Sequence, residues 1–313
     1  MKNRACWTLL ICALALITGY APARAAEVVD SVALLHRELP EKEAAIWYLG
    51  QDSFAVKTRN HLLIFDPFNP GMENSYVLPK SANSMSEEGV VNPETLKDLK
   101  LVVFMSNMGD THHGTGVWPW RRYIKNIDYV FGWNPIINQD NHEYYHLKPR
   151  EQRTIGGIEV TTMQSVQYGV GFLVKVDGLV LFHGGNHLLL DAAQRPRFTR
   201  EIDFLASQSP RIDIAFLEFQ IGAGNRPPSI ASGIWYVDQK LSPRVIFPMG
   251  AVNAEIPWRV RRTPEGLKMA ATTHEGLIKD LIKEAPSDAV RGKIVETGKR
   301  GNVFMYRNGV INR

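Results

Sequence analysis

The sequence predicts an α+β protein in which two β-sheets pack face to face beneath outer helices. Short β-branched or aromatic runs, separated by Gly, Asn or Pro, fill the first half. Strand-like and helix-like runs then mix without any low-complexity linker, an order that favours layered sheets covered by helices. The pair Asp177-Gly178, lying between two apolar runs, is the strongest hairpin signal in the chain.

The first elements to place are not structural. Lys2 and Arg4 precede an apolar stretch from Trp7 to Ile17, and small residues end at Ala23-Arg24-Ala25, the plan of a secretory signal cut after Ala25. That stretch is too short for a membrane-spanning helix, which needs about 20 apolar residues. The expected division is therefore a signal over 1–25 and a single domain over 26–313, exported to a periplasm or secreted, with no stable membrane anchor after cleavage. Both cysteines, Cys6 and Cys12, fall inside the signal. The mature chain then has no disulfide, no thiolate nucleophile and no cysteine ligand for a metal. Losing Lys2, Arg4 and Arg24 leaves 33 basic residues against 32 acidic ones. With no basic stripe and no RNA-binding aromatic motif, nucleic acid is not an expected partner; a small-molecule ligand or substrate is.

The elements follow in order. Strands are expected at 45–49, 53–57 and 61–65, the last ending in Asp66-Pro67. Residues 69–92, rich in Ser, Asn, Pro and Glu, read as a long surface loop, the kind that serves as a lid or binding loop. Leu101-Val102-Val103-Phe104-Met105 is a continuous apolar strand that runs into Ser106-Asn107-Met108-Gly109-Asp110-Thr111-His112-His113-Gly114. A buried strand discharging into a polar, glycine-containing loop is a common place for a site. Further strands are expected at 129–131, 158–162, 171–176, 179–183, 212–217, 244–248 and 302–306. Helices are expected around 199–207, 228–240 and 274–283.

Six of these segments, in order, carry a resemblance. Trp47-Tyr48-Leu49-Gly50-Gln51-Asp52-Ser53-Phe54, Leu63-Ile64-Phe65-Asp66-Pro67-Phe68, Gly171-Phe172-Leu173-Val174, Phe182-His183-Gly184-Gly185-Asn186, Asp213-Ile214-Ala215-Phe216-Leu217 and Val245-Ile246-Phe247-Pro248-Met249 resemble the lactonase-like branch of the metallo-β-lactamase superfamily, which includes ascorbate-6-phosphate lactonase. The resemblance implies the αββα four-layer sandwich of that superfamily, hydrolase-like chemistry, and an aspartate, Asp66, that supports the metal loop. It also implies a dinuclear metal centre built on His-x-His-x-Asp-His, since two clustered divalent ions need several imidazoles and carboxylates. Here that slot reads Asn107, Gly109, Thr111 and His112, and only His112 matches. The remaining ligand slots fall on Gln164, Asn186 and Gly250, so six of seven positions are changed. Glycine and threonine cannot replace an imidazole at a bond of about 2 Å, and amide carbonyls suit hard ions rather than zinc.

Other readings of the same residues remain open. Asp110, His112 and His113, with His183 or His187 and Glu218, are N and O donors able to hold one divalent metal such as zinc. Without a metal, Asp110 with His112 or His187 offers a carboxylate-oriented general base, and Gly184-Gly185-Asn186 offers backbone donors to an anion. Trp118 and Trp120, just beyond the altered loop, are candidate ligand contacts. Three functions follow: a catalytically altered hydrolase-fold protein that binds a small ligand in the old cleft; a lactone or ester hydrolase on a non-standard single metal; or a structural module with a closed cleft.

Overall fold

The computed structural model describes residues 31–67, 85, 89–108, 115–133, 144–209, 211–219, 228–250 and 274–312. The expected signal over 1–25, and most of the loop expected over 69–92, lie outside them. Among the described residues no helix is long and apolar enough to cross a membrane.

The chain begins with α1 (Ser31–His36), then β1 (Ala44–Gly50), β2 (Ser53–Lys57), β3 (Leu62–Phe65), β4 (Leu101–Met105), β5 (Ile127–Phe131) and β6 (Tyr145–His146). A 3-10 helix over Thr115–Arg122 lies between β4 and β5. The second sheet follows as β7 (Gln152–Ile155), β8 (Ile158–Gln164), β9 (Val170–Val176), β10 (Leu179–His183), β11 (Ile214–Glu218) and β12 (Val245–Met249). Helices α2 (Arg195–Gln208) and α3 (Pro228–Leu241) are interleaved with its last strands. After them come α4 (His274–Lys283), α5 (Asp288–Arg291), β13 (Val303–Arg307) and β14 (Val310–Asn312). The first sheet has the order β14-β13-β1-β2-β3-β4-β5-β6 and the second β12-β11-β10-β9-β8-β7.

Strand alternation explains why most of these strands read as unbroken apolar runs. Ala44, Ile46 and Tyr48 of β1 face the core between the sheets, where Phe172, Val174, Phe216 and Phe247 meet them. Ala45, Trp47 and Leu49 face the other way, onto Leu34 and Leu35 of α1. In the second sheet Leu181 points inward, while Phe182 packs outward against Phe198 and Ile202 of α2 and Ile234 of α3. A strand buried on both faces has no polar side to reveal its period. The result is helix, sheet, sheet, helix: the expected four-layer sandwich.

The hairpin between β9 and β10 closes on Asp177 (φ 46°) and Gly178 (φ 79°), both left-handed, as a two-residue turn of the hairpin-favoured type requires. Helix α2 starts earlier than expected, at Arg195, because Pro196 fits a first turn whose N–H groups have no helical partner. The strand expected from 212 begins at Ile214, since the Ile212 and Asp213 amides donate instead to Leu241 and Val180 carbonyls. Strand β7 was not expected at all. Three of its four residues are exposed and it pairs only with β8, so it is a polar edge that carries no apolar signal.

Candidate functional site

Strands β3, β4 and β5 run parallel, as do β10, β11 and β12, so the carboxyl ends of both sets gather the candidate side chains. Asp66 follows β3, Ser106 and Asn107 follow β4, His183 ends β10, Glu218 ends β11 and Gly250 follows β12. The two sheets meet here directly. The Gly250 amide donates to the Gln51 carbonyl at 3.2 Å, and the Val170 amide donates to the Ser106 carbonyl at 3.0 Å.

Asp66 is the hub of this end. It is fully buried and left-handed (φ 43°), a conformation a short polar side chain tolerates when it bonds locally. Its Oδ1 accepts the Ser106 amide at 2.6 Å and its Oδ2 accepts the Ser106 hydroxyl at 2.7 Å. Asn107, 1% exposed, donates its side-chain amide to Ser106 Oγ at 3.1 Å. Gly169 (φ 67°) lies so close that a Cβ there would be 2.0 Å from the Ser106 carbonyl oxygen. Only a residue without a side chain lets the two loops touch.

His183 is completely buried and stacks on Phe65 with ring centroids 5.1 Å apart. Its Nε2 lies 3.0 Å from the Asp52 carbonyl, and its Nδ1 accepts the Gly185 amide at 3.3 Å. These partners assign the proton to Nε2. Asp66 Oδ2 is 3.8 Å from Nδ1, beyond a hydrogen bond. Both ring nitrogens of His183 are thus engaged by protein groups. The same contacts bear on the anion-binding reading of the glycine turn: the Gly184 amide donates to the Phe216 carbonyl and the Gly185 amide to His183, so neither faces an open space.

His187 is different. It is buried, stacks on Phe198 at 4.4 Å, and neither ring nitrogen makes a hydrogen bond of ordinary geometry. Burial pushes its pKa down to about 4, only partly offset by the Phe198 backbone and the Glu201 carboxylate. It is therefore a neutral imidazole at neutral pH. Gln164 sits at the end of β8 with its side-chain amide donating to the Gly169 carbonyl at 3.2 Å. The Asn186 carbonyl accepts the Gln167 amide at 3.3 Å. Gly250 (φ 136°) offers backbone alone.

Of the aromatic candidates, Trp120 has no exposed surface and belongs to the core on the outer side of the first sheet, so it offers nothing to a ligand. Trp118 is half-buried and stacks on Phe131 at 5.1 Å, within a cluster that includes Tyr129 and Tyr144. Asp110, His112 and His113, with Gly109 and Thr111, lie outside the described residues. Among the described residues no three His, Cys, Asp or Glu side chains are grouped so as to hold a metal.

Sequence reasoning missed one supporting residue. Glu201 is 2% exposed on α2, on the stripe of Phe198, Ile202 and Leu205. It accepts from Arg150 at 2.9 Å and from the Gln164 amide at 3.3 Å, fixing the end of β8 against the helix. A carboxylate on an apolar helical stripe was the available signal, because such a group is almost never buried without a partner.

Comparison with solved structures places this architecture. Igni18, a novel metallo hydrolase from the hyperthermophilic archaeon Ignicoccus hospitalis, is similar with a TM-score of 0.54 at 14% identity, over 85% of this chain and 99% of that one. The metallo-β-lactamase fold protein YhfI from Bacillus subtilis is similar with a TM-score of 0.51 at 10% identity, over 85% of this chain and 100% of that one. An isothiocyanate hydrolase from Delia radicum gut bacteria has a TM-score of 0.50 at 12% identity, over 83% of this chain and 98% of that one. No family model matches the chain, and no curated protein matches its sequence. The fold is that of the metallo-β-lactamases, and its structural neighbours include metal-dependent hydrolases and a diiron β-hydroxylase. At these identities the likeness concerns the fold alone.

Proposed function

We propose that this chain is an exported metallo-β-lactamase-fold protein of the lactonase-like kind whose dinuclear metal site is largely lost, and whose cleft binds a small ligand or supports an altered chemistry. The observation that carries the reading is what the side chains at the ligand slots do. The Asn107 side chain donates to Ser106 Oγ, that of Gln164 donates to the Gly169 carbonyl, and Gly250 has backbone alone, its amide donating to the Gln51 carbonyl. Asp66, expected to steady a metal loop, takes two hydrogen bonds from Ser106. Amide, hydroxyl and backbone groups thus stand around one carboxylate, a donor set that does not fit a pair of divalent ions.

The test is elemental analysis of the untagged mature protein after dialysis against zinc, manganese or iron. The reading expects well under one ion per chain. Two tightly held ions per chain would overturn it.

One observation favours a second reading, a lactone or ester hydrolase on a single metal. His187 keeps a neutral imidazole whose nitrogens make no hydrogen bond of ordinary geometry, and a neutral imidazole is the form in which a histidine ligates. With Asp110, His112 and His113 it would complete a non-standard donor set, in keeping with the hydrolase neighbours. This reading expects one stoichiometric metal, lost in both His112→Ala and His187→Ala. Retention of the metal in either variant would sink it.

A further inference from the structure

At the opposite end of β11 and β12, roughly 16 Å away along five-residue strands, three cationic side chains from three separate connections face one open groove of about 520 Å3. Arg211 precedes β11, Arg244 precedes β12 and Lys293 follows α5; Ser242, Pro243 and Gly309 complete the lining. We propose that this groove is a binding site for a multiply charged phosphoryl anion, separate from the cleft and independent of its function.

The argument is an inventory of donors. Two carboxylates lie near, and both are used to orient the cations. Asp213 Oδ1 accepts the Tyr306 hydroxyl at 2.9 Å and lies 3.4 Å from Arg244 Nε, while Oδ2 accepts the Val180 amide at 2.9 Å. Asp238 Oδ1 is 2.6 Å from Lys293 Nζ. Arg244 therefore commits Nε and keeps its four terminal N–H groups, and Lys293 commits one of three protons. Arg211 is exposed, and among the described residues its guanidinium makes no hydrogen bond or ion pair. Among the described residues, three cations against two carboxylates leave the groove net positive, with a surplus of donors that have no protein acceptor.

Its walls are shaped to keep those donors in place. Arg244 crosses the turn between β13 and β14, where a Cβ on Gly309 (φ 83°) would lie 2.7 Å from Nη1. Ser242 holds a left-handed backbone (φ 44°) at the end of α3, just before Pro243 and Arg244. Among the described residues no aromatic side chain lines the space and Pro243 is its one apolar side chain, so an apolar ligand finds little surface. Guanidinium forks match phosphoryl oxygens in bidentate geometry, and the volume exceeds that of a single tetrahedral anion.

Titration calorimetry of the full mature chain with pyrophosphate tests the site. Saturable binding at one site is expected, weakened by added salt because exposed charges are screened within about 10 Å at 0.1 M. Arg211→Ala should weaken it about tenfold or more without lowering the melting temperature, since that side chain has no partner to lose. Lys293→Met provides the second variant. No saturable binding at millimolar pyrophosphate, or binding untouched by both substitutions, overturns the proposal. Citrate binding as tightly as pyrophosphate overturns the phosphoryl assignment.

Discussion

Ser106 donates twice to Asp66, once through its backbone amide at 2.6 Å and once through its hydroxyl at 2.7 Å, so one residue engages both oxygens of a fully buried carboxylate. This pair joins the ends of β3 and β4. Ser106→Ala removes the second bond and also the Oγ that accepts from the Asn107 side-chain amide. Leaving a buried charged acceptor short of a donor costs about 1–3 kcal/mol. Urea denaturation should show a fall of that size, and an unchanged midpoint would show that the hydroxyl is dispensable.

Gly169→Ala should be worse. A methyl group would meet the Ser106 carbonyl and the Asn107 Cβ, at a left-handed φ that alanine adopts only under strain. Strain and overpacking together come to roughly 3 kcal/mol. A thermal melt would register the loss, and a crystal structure of the variant should show the Ser106-Asn107 segment displaced from Asp66.

The imidazole of His187 predicts a pH dependence. Its folded pKa of about 4 lies below the ordinary value near 6.5, so below that ordinary value the unfolded chain binds the proton more readily. The sign is therefore a loss of stability as pH falls, absent above about 6.5 and complete near 4, amounting to about 3 kcal/mol. His187→Phe, which keeps a ring against Phe198, should flatten the profile in that window. Denaturation curves at pH 4.5 and 7 for the two proteins decide it.

Asp177 acts in the opposite part of the acid range. Burial would raise its pKa, but donors from Thr58, Asn60 and His61 outweigh it and hold the carboxyl at about 2. A depressed carboxylate contributes stability that is present above the unfolded value near 3.9 and is lost as pH falls through about 2. Because the group is partly solvated, the contribution is on the order of 1 kcal/mol. Asp177→Asn should lose that amount at pH 6 and show a shallower decline between pH 4 and 2. An identical acid profile in the variant would show that the turn between β2 and β3 is not held by this charge.

Much of the site was legible as slots rather than as contacts. Asp66-Pro67 after an apolar run, Asn107 after β4 and the Gly184-Gly185 turn are all visible in the chain. That Asp66 would be satisfied by its neighbour across the strand pair was not visible, because Ser106 is 40 residues away. His183 and His187 look alike in sequence, four residues apart. One lies between the sheets with both nitrogens engaged, and the other lies against α2 with no hydrogen bond of ordinary geometry. Trp118 and Trp120 likewise differ by two positions and by complete against partial burial.

The sequence by itself determined the fold class, the positions of the central strands and the turn at Asp177-Gly178, because local propensity and burial on both faces of a strand act through near neighbours. It also determined that amide, hydroxyl and glycine positions occupy the ends of the parallel strands. Only the tertiary structure decided which of those groups meet. Hydrogen-bond partners such as Asp66 with Ser106, Glu201 with Gln164 and His183 with Asp52 come from distant segments, and their pairing is set by sheet register and layer packing rather than by any local pattern. The basic groove at the far end is of the same kind, since Arg211, Arg244 and Lys293 belong to three connections that only the folded sandwich brings together.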